Sequence, residues 1–233
     1  MTRRALLYIV CSPRPRVGRT LLARLLTDFQ ILNERRPVAY DLNRHENTLA
    51  AFLPQQTRIA DLDDTRGQMA LFDGLIAEGE HPRILDLGNE SFDPFFTAAR
   101  QIGFMEEARR RGIEPIVLFV ADQHPRSAGI YSLLLRSFPH SLIVPVENEA
   151  NLSIDPYMDR FPPRATERGI VLPRLNPVIR GVIDKPHFSF STFMATPTEA
   201  RTEIHDWLDK IFLEFRELEL YAMLRELRAA LKF

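Results

Sequence analysis

Ser12-Pro-Arg-Pro-Arg-Val-Gly-Arg-Thr20 follows directly on the apolar run Ala5-Leu-Leu-Tyr-Ile-Val-Cys11 and leads into Leu21-Leu-Ala-Arg-Leu-Leu26. The first run is too apolar to alternate, as expected of a strand buried on both faces. The last has the periodicity of a helix. Where a strand passes through a short loop into a helix, backbone N–H groups and the positive end of the helix dipole converge on one point. That point is an anion site, and phosphate is its natural guest. Cys11 ends the strand.

Outward from this unit, short apolar runs alternate with longer amphipathic segments. Strands are expected at 5–11, 37–41, 83–87, 114–121, 141–146 and 169–175, and helices at 18–32, 65–77, 93–111, 126–137 and about 198–231. This order predicts an α/β fold, a mostly parallel sheet with helices on both faces. Residues 1–233 read as a single domain with a long C-terminal helix, and 149–168, which contains Pro156, Pro162 and Pro163, reads as a loop.

Composition narrows the functional classes. Hydrophobic residues make up 45% and charged residues 26% of the 233 residues, the balance of an ordinary globular chain. A net charge of -1 supplies no global field toward nucleic acid or anionic lipid. The single cysteine excludes an internal disulfide and a multi-cysteine zinc site, which fits a cytoplasmic location. The opening apolar run stops at Pro13 among arginines and reads as a strand rather than a leader. No apolar stretch approaches the roughly 20 residues of a membrane helix, so no membrane partner is expected.

The loop resembles the deviant Walker A motif of the ParA/MinD ATPases, K-G-G-V-G-K-[ST]. On that resemblance Arg14 stands at the signature lysine that reaches across a dimer, and Pro15 and Arg16 stand at the paired glycines. Val17 and Gly18 match, Arg19 replaces the phosphate-loop lysine, and Thr20 matches the hydroxyl that holds magnesium. Proline lacks an N–H and cannot adopt the left-handed backbone that glycine permits, so Pro15 weakens the cradle. Arg19 keeps the charge in a bulkier planar form that can still grip phosphate bidentately.

Four further strands extend the likeness. Val38-Ala-Tyr-Asp-Leu-Asn43 is similar to the family's second strand, with Asp41 matching its first acid and Asn43 standing where the second belongs. Asp41 reads equally well as the polar end of a strand. Arg83-Ile-Leu-Asp-Leu-Gly88 resembles a Walker B strand, whose Asp86 would face magnesium opposite Thr20. Ser141-Leu-Ile-Val-Pro-Val-Glu-Asn148 ends near the asparagine that reads an adenine ring in the family, although Asn148 is also a residue type that commonly caps a strand end. Gly169-Ile-Val-Leu-Pro-Arg-Leu175 resembles the short strand beside the base.

The resemblance implies ATP or ADP with Mg2+ as ligand and a P-loop NTPase (Rossmann-like) architecture. Arg14, Arg19 and Asp41 would serve catalysis, and Arg16, Val17, Gly18, Arg19, Thr20 and Asn148 would bind nucleotide. Thr20 and Asp86 would hold the metal. Hydrolysis is expected to be very slow or lost, because Arg19 and Asn43 alter positions that place the γ-phosphate or its attacking water. A nucleotide-dependent homodimer and an unknown protein partner follow from the same likeness.

A second reading stays open: a catalytically silent scaffold that binds a protein through its C-terminal helix or the proline-rich loop. The six histidines lack metal-ligand spacing, and no G-x-S-x-G elbow is present. Arg109-Arg-Arg111 before Gly112 reads as a favourable cluster at a helix C-terminus, so DNA is not an expected partner.

Overall fold

The computed structural model describes residues 4–43, 48–151, 169–197 and 202–231. The chain runs β1 (Ala5–Cys11), α1 (Arg19–Leu32), β2 (Val38–Asp41), α2 (Thr48–Phe52), β3 (Thr57–Ile59), α3 (Thr65–Ala77) and β4 (Arg83–Asp86). It continues through α4 (Phe92–Gln101), α5 (Phe104–Arg110), β5 (Ile113–Ala121), α6 (Pro125–Ser137), β6 (Leu142–Asn148) and β7 (Ile170–Leu172). It ends with α7 (Pro177–Ile183), α8 (Phe190–Ala195) and α9 (Glu203–Ala230).

The strands form one seven-stranded sheet in the order β3-β2-β4-β1-β5-β6-β7, and every pairing is parallel. β1 lies at the centre, fully buried along its length, which is why its sequence cannot alternate. Its side chains nevertheless divide between two cores. Leu6, Tyr8 and Val10 face α1, α2, α7, α8 and α9, packing with Leu22, Leu26, Phe29, Ile183, Phe190 and Phe215. Leu7, Ile9 and Cys11 face α3 to α6, packing with Leu71, Phe72, Phe95, Phe104 and Leu134. Helices thus cover both faces of the sheet.

Some elements depart from the sequence reading. The helix expected over 93–111 is two helices, because Gly103 takes a left-handed φ of 62° and starts α5 afresh. β7 stops at Leu172, since Pro173 has no N–H to extend the ladder. The short elements β3, α2, α7 and α8 have no counterpart in that reading. α9 begins at Glu203, capped by a reciprocal box between Thr202 and His205, while 198–201 lie outside the described residues. The expected loop begins with a 3-10 turn at Glu149–Asn151, and its remainder, including Pro156, Pro162 and Pro163, also lies outside them.

The C-terminal helix is tied to the sheet by a buried polar network as well as by its apolar face. Glu219 accepts from Tyr8 Oη at 2.8 Å, from Gln30 Nε2 at 2.9 Å and from both terminal nitrogens of Arg35 at 2.7 and 2.9 Å. Burial pushes the Glu219 carboxyl up, but these bonds, Arg35 foremost, outweigh it and hold it below its ordinary value.

Candidate functional site

The loop between β1 and α1 turns sharply at two left-handed residues, Arg16 with φ 60° and Gly18 with φ 97°. Such alternation directs successive N–H groups inward, forming an anion-binding concavity. Holding arginine there costs on the order of 1–2 kcal/mol, so the curve is imposed by the surroundings. Gly18 is the N-cap of α1 and offers no side-chain acceptor, leaving the first-turn N–H groups without a capping side chain. A Cβ at Gly18 would lie 2.4 Å from Asn148 Nδ2, so the loop can pass only as glycine.

At the foot of this loop the ends of β1, β2 and β4 bring together residues far apart in sequence. Thr20 Oγ1 donates to Asp86 Oδ2 at 2.7 Å and lies 3.2 Å from Thr48 Oγ1. Asn43 Nδ2 donates to the same Asp86 oxygen at 3.0 Å and to Asp41 Oδ1 at 2.7 Å. Asp86 Oδ1 is buried with no hydrogen-bond partner among the described residues. Burial is the main cause that raises the Asp86 carboxyl to about 6, opposed by the Thr20 bond and Arg19, while Asp41 adds to the rise.

Asp41 is spent differently. Its Oδ1 also accepts from Asn43 N at 3.0 Å, and its Oδ2 accepts from Leu49 N at 2.9 Å and Ala50 N at 3.2 Å. It therefore caps α2 and fixes Thr48 beside Thr20.

Arg19 is buried, and its guanidinium donates to the Leu87 carbonyl and to Asn89 Oδ1 at 3.5 Å. Burial lowers its proton affinity, and Asp86, Cys11 and Asp41 counter the loss. Its charge thus lies beside the two carboxylates that end β2 and β4. Arg14 is half exposed and pairs with Asp122 at 3.2 Å, the residue that also accepts from Ser127 and His124 N at the start of α6.

Asn148 sits against the loop: its Nδ2 donates to the Val17 carbonyl at 3.0 Å, and its Oδ1 accepts from Ala150 N at 3.1 Å. Asn151 Nδ2 donates to the same Val17 carbonyl at 2.6 Å. The structure therefore brings Arg16, Val17, Gly18, Arg19, Thr20, Asp41, Asp86 and Asn148 to one end of the sheet, with Arg14 at the rim.

Thr48, Asn89, Asn151 and Asp122 join this site without having been singled out from sequence. Only Asp122, two residues before the His124-Pro125 start of α6, carried a signal, that of a helix-start residue. Thr48 opens a helix of five residues, too short for periodicity to reveal.

The residues at the foot of the loop fit a hydrated divalent cation. Thr20 supplies a hydroxyl, and Asp86 supplies an unpartnered carboxylate oxygen beside it. Among the described residues there is no cluster of three or more His, Cys, Asp or Glu side chains that could hold a metal. A cation here would draw its other oxygens from water and from a bound ligand, the habit of magnesium.

Seven parallel strands, helices on both faces and a phosphate-type loop leaving the central strand toward the end of β4 define an α/β protein of P-loop NTPase architecture. No protein-family model matches the chain, and no curated protein matches it. Among solved structures, the chain is similar to a nucleotide-binding protein from Archaeoglobus fulgidus, solved in complex with ADP. The identity is 13%, covering 66% of this chain and 70% of that one, with a TM-score of 0.40. It is also similar to FtsY from Mycoplasma mycoides at 10% identity, covering 62% of this chain and 52% of that one, with a TM-score of 0.38. Among the described residues no helix is long and apolar enough to cross a membrane.

Proposed function

We propose that the chain binds ATP with Mg2+ at the β1–α1 loop and acts as a ParA/MinD-like switch that positions or regulates a partner, with weak or absent hydrolysis. The observation that carries the reading is the Thr20–Asp86 contact at 2.7 Å with the second Asp86 oxygen buried and unpartnered. An acceptor left in this state costs roughly 1–3 kcal/mol unless something meets it. A hydrated cation beside Thr20 is the species that the neighbouring groups suit.

In this reading the curve at Arg16 and Gly18 and the first turn of α1 receive phosphate oxygens. Thr20 and Asp86 hold the cation, and Thr48 lies within reach of the same place. Magnesium bound there would neutralise phosphate charge. Arg19 keeps positive charge beside the site, but its present bonds to Leu87 and Asn89 must be exchanged before it can grip a phosphate. Asn43, in place of an acid, bridges Asp41 and Asp86 and adds no base to activate water.

The scaffold reading has its own support. Arg14, Arg19 and Asn148 all spend donors on the protein itself. Titration of the purified chain with fluorescent ATP and ADP, with and without magnesium, separates the two. Saturable binding that weakens at least tenfold in EDTA and in Asp86→Ala is expected. No binding at millimolar nucleotide would refute the switch and leave the scaffold.

A further inference from the structure

α9 carries two apolar faces, and the sheet uses only one. Ile204, Trp207, Leu208, Ile211, Phe212, Phe215, Leu218 and Ala222 are buried in the core. On the opposite side Leu213, Leu220, Leu224, Leu227 and Leu231 are exposed, from 37% at Leu227 to 82% at Leu231. Their spacing of seven, four, three and four residues is that of a coiled-coil seam, with Glu217 at the one missing position. N-terminal to Leu213 the same stripe continues only as Asp206, Asp209 and Lys210, so the apolar seam is bounded. It spans about 27 Å at the helical rise of 1.5 Å per residue.

We infer that this outer face of α9 binds the same face of a second copy of the chain, antiparallel, about a two-fold axis at Ala222. The charges beside the seam choose both occupant and direction. Antiparallel pairing in register stacks Leu213 on the second copy's Leu231 and Leu220 on its Leu224, and brings Glu214 near its Arg228. The ion pair then occurs twice, as two-fold symmetry demands. Glu217 faces the second copy's Leu227 at a layer near the end of the seam. Parallel pairing would instead set the two Glu217 carboxylates against each other in the seam and match no opposite charges.

The exposed seam with Met223, itself 42% exposed, amounts to roughly 600 Å² per copy. Two copies together bury roughly 1,200 Å², the lower end for a specific interface, so a reversible dimer is the expected product. Mixed charges along the helix, with Glu214 and Glu217 beside Arg216, Arg225 and Arg228, suit a like helix better than an anionic lipid surface. This pairing needs no nucleotide and is independent of the phosphate-loop reading.

Sedimentation velocity on the full chain without nucleotide, at about 1 to 100 µM, tests the interface, the upper end reaching weak reversible dimers. A concentration-dependent dimer is expected. Leu220→Glu/Leu224→Glu should remain monomeric with its thermal unfolding intact, because both side chains face outward. Glu214→Arg should weaken the dimer at least tenfold, and Glu214→Arg/Arg228→Glu should restore it. In Leu213→Cys/Leu231→Cys, oxidation should join position 213 of one copy to 231 of the other, read by mass spectrometry of the linked peptides. A monomer throughout the range overturns the inference, whether or not it binds phosphatidylglycerol vesicles through these leucines. So does a dimer that survives Leu220→Glu/Leu224→Glu, or one whose links join 213 to 213.

Discussion

Asp86→Asn tests the electrostatics of the site through stability, before any ligand is added. The carboxyl is buried, one oxygen is unpartnered, and its pKa is raised from 3.8 to about 6. A folded-state pKa above the unfolded value means that the folded chain holds a proton the unfolded chain has released. The stabilisation is therefore full below about pH 4 and is lost as pH rises through 6. At 1.36 kcal/mol per pKa unit the loss is roughly 3 kcal/mol, an upper figure for a site where water can enter. Asparagine removes the titration, and near pH 4 it replaces a neutral carboxyl whose proton on Oδ1 is stranded much as the amide is. The two proteins should therefore differ least near pH 4, and toward pH 8 the variant should gain about 3 kcal/mol relative to wild type. Urea unfolding of both proteins across that range, without nucleotide, measures it. Adding ATP and magnesium should then raise the wild-type midpoint and leave the variant unmoved. Parallel pH profiles, or a variant that loses more at pH 8 than at pH 4, would refute the buried-acid account.

Other outcomes follow from the same geometry. Glu219→Ala should lower stability by about 2–3 kcal/mol in urea, since it leaves Arg35, Gln30 and Tyr8 without their shared acceptor. Gly18→Ala should unfold at a visibly lower temperature and lose nucleotide binding, because the left-handed backbone and Asn148 both oppose a Cβ. ATP turnover by the wild type should stay below about 1 s⁻¹ in a coupled assay, and a faster rate would show that Arg19 has taken over the work of a lysine. Arg14→Ala should leave the melting temperature nearly unchanged, as a half-exposed pair with Asp122 contributes little, while abolishing any dimer that forms only with ATP.

The fold was legible where burial leaves its mark on composition. Ala5–Cys11 and Ile113–Ala121 are buried along their whole length, so apolar runs without alternation announced central parallel strands. Thr65–Ala77 appeared with its observed bounds because Asp64 caps it and its period is regular. Three-residue β3 and five-residue α2 are too short for any period to show, and their existence depends on partners: β2 for the first, the Asp41 carboxylate for the second. At the candidate site, chain order placed the phosphate-type loop, Asp41 and Asp86 on adjoining strand ends. Sequence could not say how each side chain spends its bonds. Asn148 turning to the Val17 carbonyl, Arg14 to Asp122 and Arg19 to the end of β4 are choices among competing acceptors, decided only when distant segments meet. Arg24 is the sharpest case: it reads as one polar residue in a helix, yet it is buried over the Phe52 ring at 3.5 Å and donates to the Ile183 carbonyl at 2.6 Å.

The arrangement around Asn43 explains how such a site can suit holding a ligand better than consuming one. Two carboxylates at the ends of neighbouring strands repel, and the pKa of Asp86 rises in part because Asp41 is close. Asn43 places one amide between them, donating to both, and Arg19 adds positive charge from the side of β4. The acids are thereby kept near each other without a cation. The same amide supplies no base, since an asparagine side chain cannot accept a proton at neutral pH. An acid at position 43 would set a third negative charge against Asp41 and Asp86 and remove the amide that donates to both, a repulsion that a bound cation would offset. Asn43 thus lets the two acids keep their arrangement without depending on a cation, which is what the proposed switch with little turnover would require.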